Sequence, residues 1–477
     1  MRRSRVFLFC FLVVLILCLL VFWSPFKKDK ESSSSVSQYS PIDEAYERIL
    51  ASSVHPVEEK KLIEGALRGM AETLGDPYSK YMTEEEATSH RESLSDERVG
   101  IGIEIMENKG HFIVVTPMKS SPAEKAGVKP YDEIVRVNGQ RVEGKSLSDL
   151  LTVIKGKKGT TVSLTVFRET EDRHLELNMK RSALQVQTVT SERIEEDDTA
   201  IGYVTISLFG EKTAEEWEEQ TRTLVKQGID GLLIDVRGNP GGYLHSVQQV
   251  VGTMLENGDI FAYMQDPKGV LEPLPVEVTK EDDYYKVMKR IPIVLLQNEG
   301  SASASEVLSG ALKSNQRAVI AGSTSFGKGT VQETWKLTNG GEMKLSSHKW
   351  LTPKQQWIHG IGIEADYEVK ASELYQLEPL PIDGSYHVGD MNEDIIYGQK
   401  VLKALGYDLT RSDGYFDEST ADAVLSFKQD EKLEANASMD TSFFQATRET
   451  ILSKKSNKKY DDQLQKSIGY LFHSIQK

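Results

Sequence analysis

An uncharged run from Val6 to Trp23, preceded by Arg2, Arg3 and Arg5 and followed by Lys27 and Lys28, constrains this chain more than any other feature. As a helix, eighteen such residues extend roughly 27 Å, close to the thickness of a hydrocarbon core. No small-x-small cleavage site follows the run, and neither Leu17 before Cys18 nor Phe9 before Cys10 suits a lipobox. Residues 1–26 are therefore expected to remain as a signal anchor in a single pass through the cell membrane, with a cleaved signal peptide and a secreted product as the alternative. The arginines stay on the cytoplasmic side in either case, so the remaining chain is expected to be extracytoplasmic.

The 477 residues suggest about three folding units. A net charge of −15 is spread along the chain with no basic block, which excludes nucleic acid as a partner because nothing would neutralise phosphates. The two cysteines, Cys10 and Cys18, both lie in the apolar run. The exported part therefore has no disulfide, no CxxC zinc site and no thiol nucleophile. No cofactor or metal is expected.

The texture changes along the chain. Residues 27–40 carry Ser32-Ser33-Ser34-Ser35 among charges and read as a flexible linker. Residues 41–96 read as a helical segment. Within it Leu62, Ile63, Ala66, Leu67, Met70 and Leu74 form an apolar stripe at helical spacing. Such a stripe usually packs on its own domain, but with no large domain ahead of it, pairing with a second copy in a homodimer is the expected alternative. Residues 97–184 turn to short strands. Val99-Gly100-Ile101-Gly102-Ile103 is followed by His111–Val115, by Ser121-Pro122-Ala123 and by a run from Gly127 to Gly139. These features resemble a PDZ domain (a partly open β-barrel with helices). Gly100, Ile101, Gly102 and Ile103 would then cradle a terminal carboxylate, with the next strand edge accepting an extended peptide. Arg168, which ends the strand Val162–Phe167, is a candidate for holding this domain against its neighbour, with a solvated strand-end arginine as the alternative.

Residues 185–381 alternate strands with helices, as an α/β core should. Buried-strand candidates are Ile201–Ile206, Gly231–Val236, Ile293–Leu296 and Ala318–Ala321, and helical runs are Ala214–Gln227 and Ser305–Lys313. Three segments here carry chemistry. The strand Gly231–Asp235 runs into Val236-Arg237-Gly238-Asn239-Pro240-Gly241-Gly242, a turn whose glycines expose amides. Ser301-Ala302-Ser303-Ala304-Ser305-Glu306 leads into an amphipathic helix, where free N–H groups stabilise negative charge. Ser325-Phe326-Gly327-Lys328-Gly329-Thr330-Val331-Gln332 sets a glycine-flanked lysine before a strand. Taken singly, these are a turn, a cap and a loop charge.

In this order the segments resemble the carboxyl-terminal processing proteases, a family that joins a PDZ domain to an α/β protease core, and the likeness runs from Ile42 to Pro381. The resemblance implies Ser303 as nucleophile, Lys328 as general base 25 residues on, and Gln332 orienting that lysine. It also implies an oxyanion hole from the amides of Ala304 with Gly241 or Gly242. A lysine base must lose its proton near neutrality, which requires burial. Phe326 and Val331 are expected to supply it. The competing mechanism is a Ser–His–Asp triad using His245, His348 or His359 with Asp235 or Asp366.

Residues 386–450, with Leu405-Gly406-Tyr407 and Asp413-Gly414-Tyr415-Phe416-Asp417, resemble a small helical peptidoglycan-binding domain. Asp417 replaces a usual glycine, and a spacer or partner-binding role is the alternative. Residues 451–477 read as a lysine-rich tail. The expected fold class is an α/β protease core with an inserted PDZ domain, an N-terminal helical segment and a small helical C-terminal domain. The expected partners are protein or peptide substrates with accessible C-termini, the membrane through the anchor, and peptidoglycan. A non-catalytic scaffold at the cell envelope is the rival from another class.

Overall fold

The computed structural model describes residues 41–476 apart from 95–96, 109, 119, 169–170, 186, 197, 279 and 381. The expected anchor and linker lie outside the described residues. Among those described, no helix is long and apolar enough to cross a membrane. The chain divides after Gly75 into two units.

In the first unit, helices α1 (Pro41–Ser52) and α2 (Glu59–Glu72) carry the apolar stripe. Ile42, Ile49, Leu50, Ile63, Met70 and Leu74 are all exposed. Where the sequence reads one helical segment to residue 96, the structure puts a strand, β1 (Lys80–Met82), into a sheet of the second unit. Burial explains the change, because Tyr81 and Met82 are almost wholly enclosed. Helix α3 (Glu84–Leu94) follows.

The PDZ module is entered and left through a two-stranded ribbon, β2 (Glu97–Gly100) against β9 (Ser182–Gln185). Between them β3 (Ile103–Asn108), β4 (His111–Pro117), β5 (Glu133–Val137), β7 (Thr161–Arg168) and β8 (Arg173–Lys180) form an open antiparallel sheet in that order, with the short β6 (Gln140–Arg141) paired to β5. The sheet does not close into a barrel. β7 alternates buried residues with more open ones along its length, the period-two pattern of a strand with one face on a core. Phe112, Val114, Ile134, Val162, Leu164 and Val166 fill that core beneath α5 (Leu147–Ile154), which follows the single-turn α4 (Pro122–Lys125).

The core is built on a six-stranded sheet. β10 (Val189–Glu196) pairs antiparallel with β11 (Thr199–Ile206). Beyond it β12 (Gly231–Asp235), β15 (Ile293–Gln297), β16 (Val319–Gly322) and β19 (Tyr367–Glu368) run parallel. β12 and β15 are buried at every residue, as strands covered on both faces must be. Helices α6 (Thr213–Lys226), α7 (Leu244–Gly252), α8 (Asp283–Met288) and α9 (Ala304–Ser314) share one core with one face of the sheet. A second sheet joins β1 to β13 (Ile260–Gln265), β14 (Leu271–Pro275), β17 (Thr330–Lys336) and β18 (Glu342–Leu351).

After the one-turn α10 (Glu373–Gln376), helices α11 (Glu393–Ala404), α12 (Glu418–Asp430) and α13 (Thr441–Ser456) enclose Leu402, Phe416, Phe427 and Phe443. Asp417, the departure from glycine, caps α12 by accepting the Thr420 amide at 2.9 Å. The expected tail is instead structured. Its helix α14 (Asp462–Ile475) lays Leu464, Ile468, Leu471 and Phe472 on Ile201, Leu233, Val294 and Leu296, covering the other face of the six-stranded sheet. The lysines near 454–459 hid this amphipathic stripe from a composition-based reading.

Candidate active site

β12 and β15 lie side by side and parallel, so the segments following their C-terminal ends meet, where ligand sites of parallel sheets form. After β12 the chain turns through Gly241 and Gly242, at φ of 105° and 143°. A Cβ on Gly242 would stand 2.1 Å from the Phe209 carbonyl oxygen. One on Gly241 would stand 2.8 Å from Ser303 Cβ and 2.9 Å from Ala304 N. The turn is therefore pressed against the start of α9. Ser303 itself has φ 55° and ψ −112°, a conformation costing a non-glycine residue about 1–3 kcal/mol.

Glu306, completely buried, holds this arrangement together. One of its oxygens accepts the Ser303 amide at 2.8 Å and the Lys328 amide at 2.8 Å. The other accepts Gly327 N at 2.6 Å and Ser325 Oγ at 2.7 Å. Four donors compensate the burial of one carboxylate and tie the serine segment to the lysine loop. Sequence reading quoted Glu306 without a role, although a glutamate three residues after a serine at a helix start is a capping-box signal.

The three serines are not equivalent. Ser301 Oγ donates to the Val236 carbonyl at 2.8 Å and Ser305 Oγ to the Asn239 carbonyl at 3.0 Å, both fully buried. Ser303 alone of the three is partly exposed. Ala304 N and Gly242 N have no hydrogen-bond acceptor among the described residues, whereas Gly241 N donates to Asn239 Oδ1 at 2.8 Å.

Lys328 sits in a loop pinned by Trp350 Nε1 on its carbonyl and Trp357 Nε1 on that of Gly329, each at 2.8 Å. Burial lowers its pKa below the usual lysine value, against the opposing pull of Asp76 and Glu306. The expected cover is wrong in part: Phe326 is 54% exposed, because glycines on both sides of the lysine let the loop turn that ring outward. Tyr78, unforeseen, lies under the ammonium with its ring centre 4.8 Å from Nζ. Among the described residues no hydrogen bond joins Ser303 Oγ to Lys328 Nζ. Gln332 reaches Thr330 Oγ1 and Ser346 Oγ, at 3.0 and 3.1 Å, rather than the lysine.

The histidine triad is not assembled. Asp235 binds Arg237 and Tyr203, while Asp366 binds Lys313 and the Ile320 amide. His245 stacks on Tyr243, His348 meets Ser347 Oγ, and His359 stacks on Trp357.

In the PDZ module Gly102 has φ 75°, and a Cβ there would fall 2.4 Å from Ser121 Cβ. The Gly102 and Ile101 carbonyls accept Met118 N and Ala123 N, while the amides of Ile101 and Gly102 have no acceptor among the described residues. Ile103 starts β3, the sheet's edge strand. Arg168 does not reach the core. It is buried in a paired fork on Asp132, both contacts 2.7 Å, and also bonds the Gly127 carbonyl and Glu171. The coupling expected of it is replaced by an internal lock of the module, since a buried guanidinium is held by its nearest carboxylate.

Comparison with known proteins agrees with this architecture. Family models match for peptidase family S41 over residues 200–369, a PDZ domain over 99–179, the N-terminal domain of the activating protease CtpB over 24–86, and a peptidoglycan binding domain over 391–446. The carboxy-terminal processing protease CtpB of Bacillus subtilis is 39% identical over 90% of this chain and 88% of its own. CtpA of the same organism is 35% identical over 93% and 92%. Among solved structures, a photosystem II D1 C-terminal processing protease covers 69% of this chain and 92% of its own at 26% identity, with a TM-score of 0.45. The matched models and relatives make this a serine-type peptidase of family S41 with a PDZ domain. The chain belongs to the carboxy-terminal processing proteases.

Proposed function

We propose that the chain is an endopeptidase working through a Ser303–Lys328 dyad, with substrate C-termini captured by the PDZ module. The observation that carries this reading is the bridge through Glu306, which ties the one partly exposed serine of its segment to the loop of a lysine depressed by burial. Neutral Lys328 takes the Ser303 proton as Oγ attacks the scissile carbonyl. The resulting acyl-enzyme is resolved by water. The amides of Ala304 and Gly242, which have no acceptor among the described residues, would receive the oxyanion, while Gly241, its amide engaged, would shape the turn. Gln332 and Lys328 would have to move toward Ser303 to complete the dyad. The open edge of β3 and the free amides of Ile101 and Gly102 suit an extended peptide ending in a carboxylate.

In this reading the protein is held in the cell membrane by residues 1–26 with its catalytic part outside, pairs through the exposed stripe of α1 and α2, and meets peptidoglycan through α11–α13. A fluorophosphonate probe tests the chemistry. It should acylate the wild-type ectodomain at Ser303, and Ser303→Ala should abolish both labelling and proteolysis with little change in melting temperature. Labelling that persists in Ser303→Ala and disappears in Ser301→Ala or Ser305→Ala would reassign the nucleophile. No labelling of a folded wild type would favour a non-catalytic scaffold.

A further inference from the structure

The segment from Val236 to Gly242 is gripped from two directions. Toward α9 the hold is made by the residues around Ser303. Ser301 Oγ donates to the Val236 carbonyl and Gly238 N to Asn298 Oδ1, each at 2.8 Å. Ala302 N and Ser305 Oγ both donate to the Asn239 carbonyl at 3.0 Å. Gly241 N closes the turn on Asn239 Oδ1. The turn that carries Gly242 N is thus knitted to the stretch that carries Ser303 and Ala304 N.

In the other direction the hold is one side chain, Arg237. Its Nε and Nη2 donate to the two oxygens of Asp235 at 3.0 and 2.7 Å. Its Nη1 and Nη2 donate to the two oxygens of Asp461 at 2.9 and 2.7 Å, and Nη1 also reaches Gln463 Oε1 at 3.3 Å. Each partner is fixed in turn. Asp235 Oδ2 accepts Tyr203 OH at 2.8 Å, Asp461 Oδ1 accepts the Leu464 amide at 3.0 Å, and Gln463 Nε2 donates to the Val369 carbonyl at 2.7 Å. Asp235, Asp461 and Gln463 are all buried.

The helix does not need this fork in order to dock. Leu464, Ile468, Leu471 and Phe472 already seat α14 on the sheet, by a force that has no preferred direction. A buried ion pair adds little net stability to such a contact. What a rigid, planar guanidinium between two carboxylates adds is direction. Here that direction is imposed two residues before Asn239, on which the glycine turn closes.

We propose that Asp461, backed by Gln463, is a positioning residue of the peptidase, acting through Arg237 to fix the turn that carries Gly242 N. A stretch beyond the matched domain models, the last of which ends at residue 446, then belongs to the catalytic apparatus. The consequence for rate rests on the Ser303–Lys328 reading, in which Gly242 N receives the oxyanion.

The test uses the full-length protein and the rate at which a fluorophosphonate labels Ser303. In Asp461→Asn the helix start is kept, because asparagine caps as well as aspartate, while an amino group faces the guanidinium in place of an oxygen. Labelling and kcat should both fall by about tenfold to a hundredfold with KM nearly unchanged, as for an interaction made only in the transition state. Asp461→Glu, which keeps the carboxylate, should restore most of the rate. Leu471→Ala is the control. It loosens the same helix at a fully buried position without touching the fork, and should label at close to the wild-type rate at a temperature where both variants are folded. Equal slowing in Asp461→Asn and Leu471→Ala, or none in Asp461→Asn, makes the fork a structural tie and overturns the proposal.

A folded wild type that takes no label would sink the Ser303–Lys328 reading instead. Hydrogen exchange over residues 236–242 then decides. Faster exchange in Asp461→Asn but not in Leu471→Ala supports the positioning, and exchange unchanged in Asp461→Asn or equally faster in both overturns it. Should Asp461→Asn fail to fold, Arg237→Lys keeps the charge and loses the fork. It should slow labelling to the same extent, and wild-type labelling in it would overturn the proposal.

Discussion

At the residue scale, Glu306 is the element on which the site's geometry turns. Glu306→Gln keeps the volume but replaces one acceptor oxygen by a donor that faces backbone N–H groups, leaving buried donors unpaired. It should lower kcat by about tenfold to a thousandfold and stability by about 1–3 kcal/mol, read by steady-state kinetics and urea unfolding. Wild-type kcat in that variant would remove Glu306 from the mechanism. Lys328 supplies a pH prediction. Because burial lowers its pKa, the neutral base accumulates as pH rises, so activity should climb through an apparent pKa below 10.5. The same sign holds for stability: between the folded and unfolded pKa values the unfolded chain binds more protons, so stability from this group rises with pH and is lost as pH falls through that window. Lys328→Arg should be as inactive as Lys328→Ala at every pH, since guanidinium keeps its proton. Activity of the arginine variant would point to another base.

Elements explain why some of this was legible in the sequence. Ile201–Ile206, Gly231–Val236 and Ile293–Leu296 were readable as strands because burial on both faces leaves continuous apolar runs. They are found as Thr199–Ile206, Gly231–Asp235 and Ile293–Gln297. β1 was not readable, since three residues carry no period, and its burial depends on β18 some 260 positions away. Tyr78 and Asp76 were missed for the same reason, while Glu306 sat in plain view within its motif. The ribbon of β2 and β9 has a consequence for the PDZ module, because both chain connections leave it through one paired stem. Deleting residues 99–184 should change turnover even of a short unstructured peptide if the module gates the site. Loss confined to protein substrates with free C-termini would reduce the module to a tether.

For the whole molecule, the division after Gly75 sharpens how dimerisation is tested. Removing residues 41–96 would also take β1 out of its sheet, so loss of assembly there would be ambiguous. If the stripe is the pairing surface, removing only residues 41–75 should convert the protein lacking residues 1–40 from dimer to monomer in light scattering with its melting temperature nearly unchanged. A protein of residues 41–477 that is monomeric at micromolar concentration contradicts the pairing.

The docking of α14 carries a different implication, one of timing. Arg237, in the segment between β12 and the glycine turn, grips Asp461 at 2.7 Å, and the apolar face of α14 covers strands whose sequence ends some 140 residues earlier. During synthesis those strands come first, so their uncovered face waits for α14. Four side chains worth roughly 1.5–3 kcal/mol each then bury it. Until that happens the sheet is a sticky, half-finished surface of the kind that aggregates or recruits chaperones. A nascent chain would thus acquire a settled core, and with it a firmly seated glycine turn, only once α14 has been made.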